Sequence, residues 1–413
     1  VKASIPGLTD TKACVESDIV IADFDRDGDN DLIAVSGGYK NETDENYPHY
    51  WYENLGGKFD KVKLPIPSFP ASVARPYDFD HDGDVDVFVG ARVKRGVFPF
   101  AGSSYVLIND NGKFSERSFS FDLGMVTDAA WSDYDGDGWE DLVITREWNT
   151  PIILQNENGK RLSVKNADQH DSKHGLWSTI SNGDFDQDGD DDYVIGNLGE
   201  NHRFTVSNDF PMRTYAIDVD KNGYIDPITT AHWRDKEGEM KEYPVNYLDE
   251  LAAQSPYFRK KFISYTRFSY TDIDSIIDKS SIDKENIFQI NTTSSYILWN
   301  EAGSFRWERL PSAAQTSPVK KVLVRDFNKD NLLDCLIAGN DYSYDVSTGI
   351  YDANKGVILL GQKDKTFRVL PPSKSGLLLH GQVTSLLYFD NDIPFLVAGI
   401  NRDSIAVFRH LVH

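Results

Sequence analysis

Short apolar runs recur along the chain, each just after a polar, aspartate-rich stretch. Leu32 to Val35, Val87 to Val89, Leu142 to Ile144, Tyr193 to Ile195 and Cys335 to Ala338 are the clearest. Unbroken runs of this length, rich in β-branched residues, predict strands buried on both faces. Pairs of apolar segments joined by Asn- or Gly-containing turns follow them: His49 to Leu64, Ser104 to Arg117, Pro151 to Val164, Ser295 to Leu310 and Lys355 to Leu370. Each reads as a hairpin whose turn residues tolerate positive φ. One unit is therefore strand, Asp-rich loop, strand, connection, strand, turn, strand.

That unit repeats. The loop pattern D-x-D-x-D-G-x-x-D begins at Asp23, Asp78, Asp133 and Asp184, with looser copies at Asp218 and Asp326 and a remnant near Tyr388. Repeats of about this size predict a radial arrangement of four-stranded antiparallel sheets, an all-β propeller. Seven blades are expected, with six as the alternative, because Asp184 and Asp218 stand only 34 residues apart and the next loop follows after 108. The spacing suggests a compressed unit and one carrying an insertion. The whole of 1–413 reads as a single propeller domain, with a helical insertion at 235–292. The last unit supplies three strands, and Lys2 to Gly7 is expected to complete its sheet.

The loops carry the chemistry. Carboxylates or amides stand at positions 1, 3, 5 and 9, a backbone carbonyl is offered at position 7, and glycine at position 6 permits the bend. These are hard oxygen ligands at a spacing suited to Ca2+. The expected ligand residues are Asp23, Asp25, Asp27, Asp29 and Asp31 in loop 1, and Asp78, Asp80, Asp82, Asp84 and Asp86 in loop 2. Loop 3 offers Asp133, Asp135, Asp137, Trp139 and Asp141; loop 4 offers Asp184, Asp186, Asp188, Asp190 and Asp192. Loops 5 and 6 offer Asp218, Asp220, Asn222, Tyr224 and Asp226, then Asp326, Asn328, Asp330, Leu332 and Asp334. Loop 5 has Asn222 at position 5, and loop 6 has Asn328 at position 3 and Asn331 where the others have glycine, so sites 5 and 6 are expected to bind more weakly. An EF-hand needs a bidentate Glu at position 12; here that position holds Ala34, Val89, Ile144, Ile195, Thr229 and Ile337, which excludes it.

These residues resemble the FG-GAP/VCBS repeat family, which includes the propeller of integrin α-subunits and the cartilage acidic proteins. Gly183 to Phe204 and Gly339 to Gly361 look most like surface VCBS-repeat proteins of Bacteroidetes, without a visible ASPIC/UnbV segment. The resemblance implies seven blades, Ca2+ in up to six loops, and partner binding in place of catalysis. It carries no adhesion motif onto this chain.

Composition narrows the rest. The formal net charge of −22 argues against nucleic acid and against anionic membranes. Six Ca2+ ions would roughly halve it. Extracellular Ca2+ modules bind at about 10⁻⁴ to 10⁻³ M, so the loops point outside the cell, to an extracellular or bacterial outer-membrane surface. No apolar run reaches the ~18 residues of a membrane span. The chain starts at Val1 and is read as a mature form or a piece, which leaves room for a lipid anchor if the N-terminus is truncated. Two cysteines, Cys14 and Cys335, exclude a disulfide framework; Cys335 reads as a buried strand residue.

Within the insertion, Asn246 to Gln254 and Ser255 to Phe262 read as helices capped by Asn246 and Ser255, with Pro256 at a first helical position. Ser269 to Phe288 reads as two more. Tyr257, Phe258, Arg259, Lys260, Lys261 and Arg267 form a basic and aromatic cluster, a candidate surface for an acidic partner. His81, at loop position 4, is expected to point outward. No catalytic motif such as G-x-S-x-G or H-E-x-x-H is present. The expected role is a non-catalytic binding module for a protein or glycan, or a subunit of a cell-surface complex. The alternative is a polysaccharide lyase or glycoside hydrolase, with Trp131, Trp139 and Trp177 as sugar platforms.

Overall fold

The computed structural model describes residues 15–38, 47–115, 118–166, 173–343, 349–390 and 392–409. Cys14, His170 and the expected closing segment Lys2 to Gly7 lie outside these. Seven antiparallel sheets are present among the described residues. The first contains Val15–Ala22, Asp31–Gly37, Tyr50–Asn54 and Phe59–Lys63, in that order across the sheet. The second repeats it with Ala71–Tyr77, Asp86–Ala91, Ser104–Leu107 and Phe119–Phe121. The third, built on Met125–Ser132 and Asp141–Asn149, gains a short fifth strand at Gly175–Leu176. The protein is an all-β propeller.

The order then changes. The fourth sheet pairs Thr179–Gly183 and Asp192–Gly196 with Tyr296–Asn300 and Phe305–Arg309, about a hundred residues later. Another four-stranded sheet is nested in that gap: Met212–Ile217, Asp226–Arg234, Met240–Pro244 and Ile287–Ile290. It carries loop 5. The fifth sheet starts at Val319–Arg325, and the last has three strands from Val383–Phe389 to Ala406–Arg409. First strands of the six successive sheets pack against one another in sequence order. Seven sheets thus match the expected number, while the nested one follows the alternative of an insertion within a six-sheet series.

Packing explains the apolar runs. In the first four sheets of the series and in the one that starts at Val319 the second strand is buried along most of its length. Separate cores fill the spaces between neighbouring sheets: Phe24, Trp51 and Val87 between the first two, Phe79, Leu142 and Leu154 between the next two. Burying such side chains contributes roughly 1.5–3 kcal/mol each. The nested sheet has a core of its own, where Tyr215 and Ile228 meet Leu251, Phe258 and Ile273. Met125, Trp148, Met212 and Ile290 join it to the third sheet. Cys335 is fully buried.

The helical excursion runs between the last two strands of the nested sheet. It holds α1 (Leu248–Gln254), α2 (Pro256–Lys261) and α3 (Tyr265–Ser269). The cap of α1 is Tyr247, because the Asn246 side chain is taken by the Thr229 N–H at 3.0 Å. Ser255 caps α2 as expected, accepting from the Tyr257 N–H at 3.2 Å. Ser269 to Phe288 forms no long helix after α3. Asp272 and Asp278 each cap a single 3-10 turn, which breaks the segment into short pieces. No helix among the described residues is long and apolar enough to cross a membrane.

Candidate metal centres

Each Asp loop is a tight turn held by its own carboxylates. The position-1 carboxylate accepts the N–H of position 6: Gly28 to Asp23 at 3.1 Å, Gly83 to Asp78 at 2.9 Å, Gly138 to Asp133 at 2.8 Å, Gly189 to Asp184 at 3.2 Å, Gly223 to Asp218 at 2.7 Å. Loop 6 keeps the bond through Asn331 at 2.8 Å, with φ 67°, so asparagine does the work of glycine there. The position-9 aspartate starts the second strand and accepts the N–H of position 2, as Asp31 does from Phe24 at 3.1 Å.

The other oxygen of position 9 reaches the end of the third strand. Asp31, Asp86, Asp141 and Asp192 accept from the N–H of Asn54, Asn109, Asn156 and Asn300 at 2.7, 2.7, 2.6 and 2.9 Å. Three of these asparagines also tie sheet to sheet. The side-chain amides of Asn109, Asn156 and Asn300 donate to the carbonyls of Phe24, Phe79 and Tyr134 in the preceding loop, at 2.7, 2.7 and 2.8 Å. By sequence alone these asparagines have only a turn role. Their recurrence before each hairpin turn was the available signal.

The ligand set converges as far as carboxylates go. Oxygens of Asp78, Asp80 and Asp86 lie within 4.8 Å of one another, and so do those of Asp133, Asp135 and Asp141, of Asp184, Asp186 and Asp192, and of Asp218, Asp220 and Asp226. In loop 1 the trio is Asp23, Asp25 and Asp27. Loop 6 brings no such trio together; Asn328 stands at position 3 and donates to Asp330 at 3.0 Å. Position-5 side chains brace the turn, as Asp82 does by accepting the Asp84 N–H at 2.9 Å. At position 7, Asp29, Asp84 and Asp190 accept from Gly56, Asn111 and Ala302 on neighbouring hairpins, at 3.2, 3.0 and 3.3 Å. Each thus commits one oxygen to the neighbouring turn, while Oδ1 of Asp29 and of Asp190 is buried with no hydrogen-bond partner and Asp84 Oδ1 faces Arg26, so these side chains stand beside the main-chain carbonyl as position-7 donors.

Electrostatics say what the trios need. Burial, with neighbouring carboxylates adding to it, pushes Asp86 up to about 8, Asp141 and Asp192 up to about 7 and Asp334 up to about 6. Asp23 Oδ1 and Asp78 Oδ1 are buried with no hydrogen-bond partner. A buried carboxylate oxygen without a partner is costly, and a divalent cation removes that cost. The all-oxygen donor set fits such an ion.

Position 4 takes a left-handed conformation, with φ 60° at Arg26, 56° at His81 and 65° at Gln187. That backbone swings the side chain sideways onto the next loop. Arg26 donates to the Gly83 carbonyl at 2.8 Å and pairs with Asp84 at 3.0 Å. His81 therefore does not simply point outward: it stacks on Trp139 and meets Glu140 at 3.1 Å. Gln187 reaches the Asn331 carbonyl at 2.6 Å. Neighbouring loops are clasped into one face.

Other sequence candidates fare differently. Trp177 is fully buried and donates to the Asn149 carbonyl at 2.8 Å, so it is core and not a platform. Trp131 stacks on Tyr77 and is half-buried. In the basic cluster, Phe258 is fully buried, which removes it from any surface. Lys261 is tied to the Tyr257 hydroxyl at 3.0 Å and the Ile276 carbonyl at 2.8 Å. Arg259, Lys260 and Arg267 remain exposed. Ser255, which sequence reading cast only as a cap, also donates its hydroxyl to Asp220 of loop 5.

Comparison with known proteins places this geometry. Residues 23–89, 78–144 and 133–195 match the FG-GAP-like repeat. No curated protein matches the chain. Among solved structures, BBS1N in complex with ARL6DN aligns at 11% identity over 98% of this chain and 94% of that one, with a TM-score of 0.35. The Vibrio cholerae biofilm matrix protein Bap1 aligns at 11% identity over 96% and 88%, with a TM-score of 0.33.

Proposed function

Residues 23–195 are FG-GAP-like repeats on a propeller scaffold, and from that premise we propose a non-catalytic, calcium-binding module that engages a protein or glycan partner at a cell surface. The observation that carries the reading is a carboxylate trio in each of five loops, at positions 1, 3 and 9 in four of them. Ca2+ suits this site better than Mg2+, which demands strict octahedral geometry and keeps several waters. When bound, the ion supplies charge neutralisation and rigidity. The chain's own groups do the rest: position-1 and position-9 carboxylates close the turn, asparagines staple sheet to sheet, and position-4 side chains clasp adjacent loops. Millimolar affinity would restrict such sites to a calcium-rich exterior.

A candidate protein dock is the exposed face of the helical excursion. Arg259, Lys260 and Arg267 lie there, with Ile263, Tyr265 and Tyr270 at 89%, 62% and 73% exposure. The test is affinity isolation of the full chain from its own cell envelope, in millimolar calcium and after a chelator wash. A stoichiometric companion released by chelator supports the reading. Turnover of a polysaccharide by the purified protein would replace it with the lyase or hydrolase alternative.

A further inference from the structure

Away from loops 1–4 and 6, the first strands of the six sheets surround a central cavity of about 890 Å³. That lies within the range of small-ligand sites. Its wall has a repeated construction. In five first strands the ladder register shifts at the same place, leaving one unpaired residue: Ser17, Ser72, Thr127, Lys320 and Thr384. The fourth sheet offers Ser178 just ahead of its first strand. All six line the cavity. A bulge of this kind re-aims a side chain and is over-represented beside functional sites. The spacing of Ser17, Ser72 and Thr127 equals that of the first three Asp loops.

Hydrogen bonding decides what the ring can hold. Ser17 donates to the Val35 carbonyl at 3.1 Å, Ser72 to Val126 at 2.6 Å, Thr127 to Thr145 Oγ1 at 3.2 Å and Thr384 to Gly399 at 3.3 Å. Ser178 donates to the Val319 carbonyl. Each hydroxyl has one hydrogen, now committed, and keeps acceptor lone pairs. The ring therefore welcomes a ligand rich in O–H donors. Lys320 is paired with Asp341 at 3.1 Å. Lys321 also lines the cavity and forms no hydrogen bond or salt bridge among the described residues. The nearby Asp128 carboxylate is occupied by Arg75, Thr179 and the Ile180 N–H. Lys321 thus feels the Asp128 charge without a hydrogen bond to it, and its ammonium is open to an anionic acceptor. On the remaining side, Ile225 of loop 5, Pro227 of the nested sheet and Gln254 at the end of α1 line the same space.

We propose that this cavity binds a sugar acid, a polyhydroxylated carboxylate whose hydroxyls donate to the serine and threonine ring and whose carboxylate pairs with Lys321. The proposal deepens the binding-module reading and rests on it. An acidic peptide would satisfy Lys321 but brings one backbone N–H per residue, fewer and more widely spaced donors than the hydroxyls of a sugar ring.

Calorimetry in millimolar calcium tests it with glucuronate, galacturonate and N-acetylneuraminate, alongside glucose, acetate and triglutamate. At least one sugar acid is expected to bind saturably, with glucose, acetate and triglutamate about tenfold weaker or more. Lys321→Gln should weaken that sugar acid about tenfold, the loss of one charge-assisted hydrogen bond. Gln254→Ala, at an exposed helix end, should weaken it severalfold and serves if Lys321→Gln fails to fold. The idea is overturned if none of the three sugar acids binds, if acetate or triglutamate binds equally well, or if both variants bind unchanged. Calcium uptake is measured on the same samples. Uptake without sugar-acid binding removes this inference alone; no uptake removes the binding-module reading as well.

Discussion

Asp86 separates the structural task of a loop carboxylate from its metal task. It is 1% exposed and begins the second strand of the second sheet. One oxygen accepts from Phe79 N–H at 3.3 Å and the other from Asn109 N–H at 2.7 Å. Asp86→Ala leaves both donors buried and unmet, at about 1–3 kcal/mol each. It also forfeits the metal at loop 2, worth about 1.4 kcal/mol at ten times the dissociation constant. Asp80→Asn is the contrast. Asp80 accepts only the Asp82 N–H within the loop, at 3.3 Å, so it should lose mainly the metal contribution. Unfolding entropy of about 2 cal/mol/K per residue makes each kcal/mol worth about 1 °C in a chain of this length. Scanning calorimetry should therefore show Asp86→Ala melting about 2–6 °C low in chelator and about 3–7 °C low in calcium. Asp80→Asn should melt about 1–2 °C low in calcium and match wild type in chelator. Equal deficits for the two variants in chelator would refute the division of labour.

The same carboxyls set a pH dependence. Asp86, Asp141 and Asp192 have folded pKa values raised well above the ordinary carboxyl range, so without metal the folded state holds the extra protons. Their stabilisation is full below about pH 4 and is lost as pH rises through 7 to 8; melts in chelator should fall across pH 5–8, while calcium abolishes or reverses the trend. Trp177→Ala, in the core, should cost about 3–5 kcal/mol by thermal melt and leave calcium uptake per folded chain unchanged; a fully stable variant would mean the side chain is not buried. Ser255→Ala removes the α2 cap, about 0.5–2 kcal/mol, and the contact to Asp220. Hydrogen exchange should then rise in 218–226 and in α2 but not in loops 1–4, and uniform exchange would refute the link.

What was readable in the sequence was local. In loop 2 one nine-residue turn holds the bend residue Gly83, the ligands and the strand start at Asp86, so neighbours alone define it. The hairpins were readable for the same reason. The route of the fourth sheet was not, because Asp192–Gly196 pairs with Tyr296–Asn300 across the whole nested sheet and nothing near either strand encodes its partner. The helical excursion was half readable. Ser255 and Pro256 announce α2, but Asp272 and Asp278 mark caps without revealing that each turn stops at once. Trp177 read as a sugar platform in the sequence, while its burial depends on Tyr296 and Trp307 from a distant hairpin that nothing beside it encodes. His81 carries the same lesson, since its direction is fixed by a left-handed backbone and by a loop 59 residues away.

The central claim is that the Asp loops are metal sites, and the direct measurement is calcium stoichiometry. Native mass spectrometry with calorimetry on the chelator-stripped full chain should count five Ca2+ ions, one for each carboxylate trio, with loop 6 filling last or staying empty. Asp78→Asn should lower the count by one, and magnesium should not compete at equal concentration. A count of zero or one, or a count that Asp78→Asn leaves intact, would contradict the account.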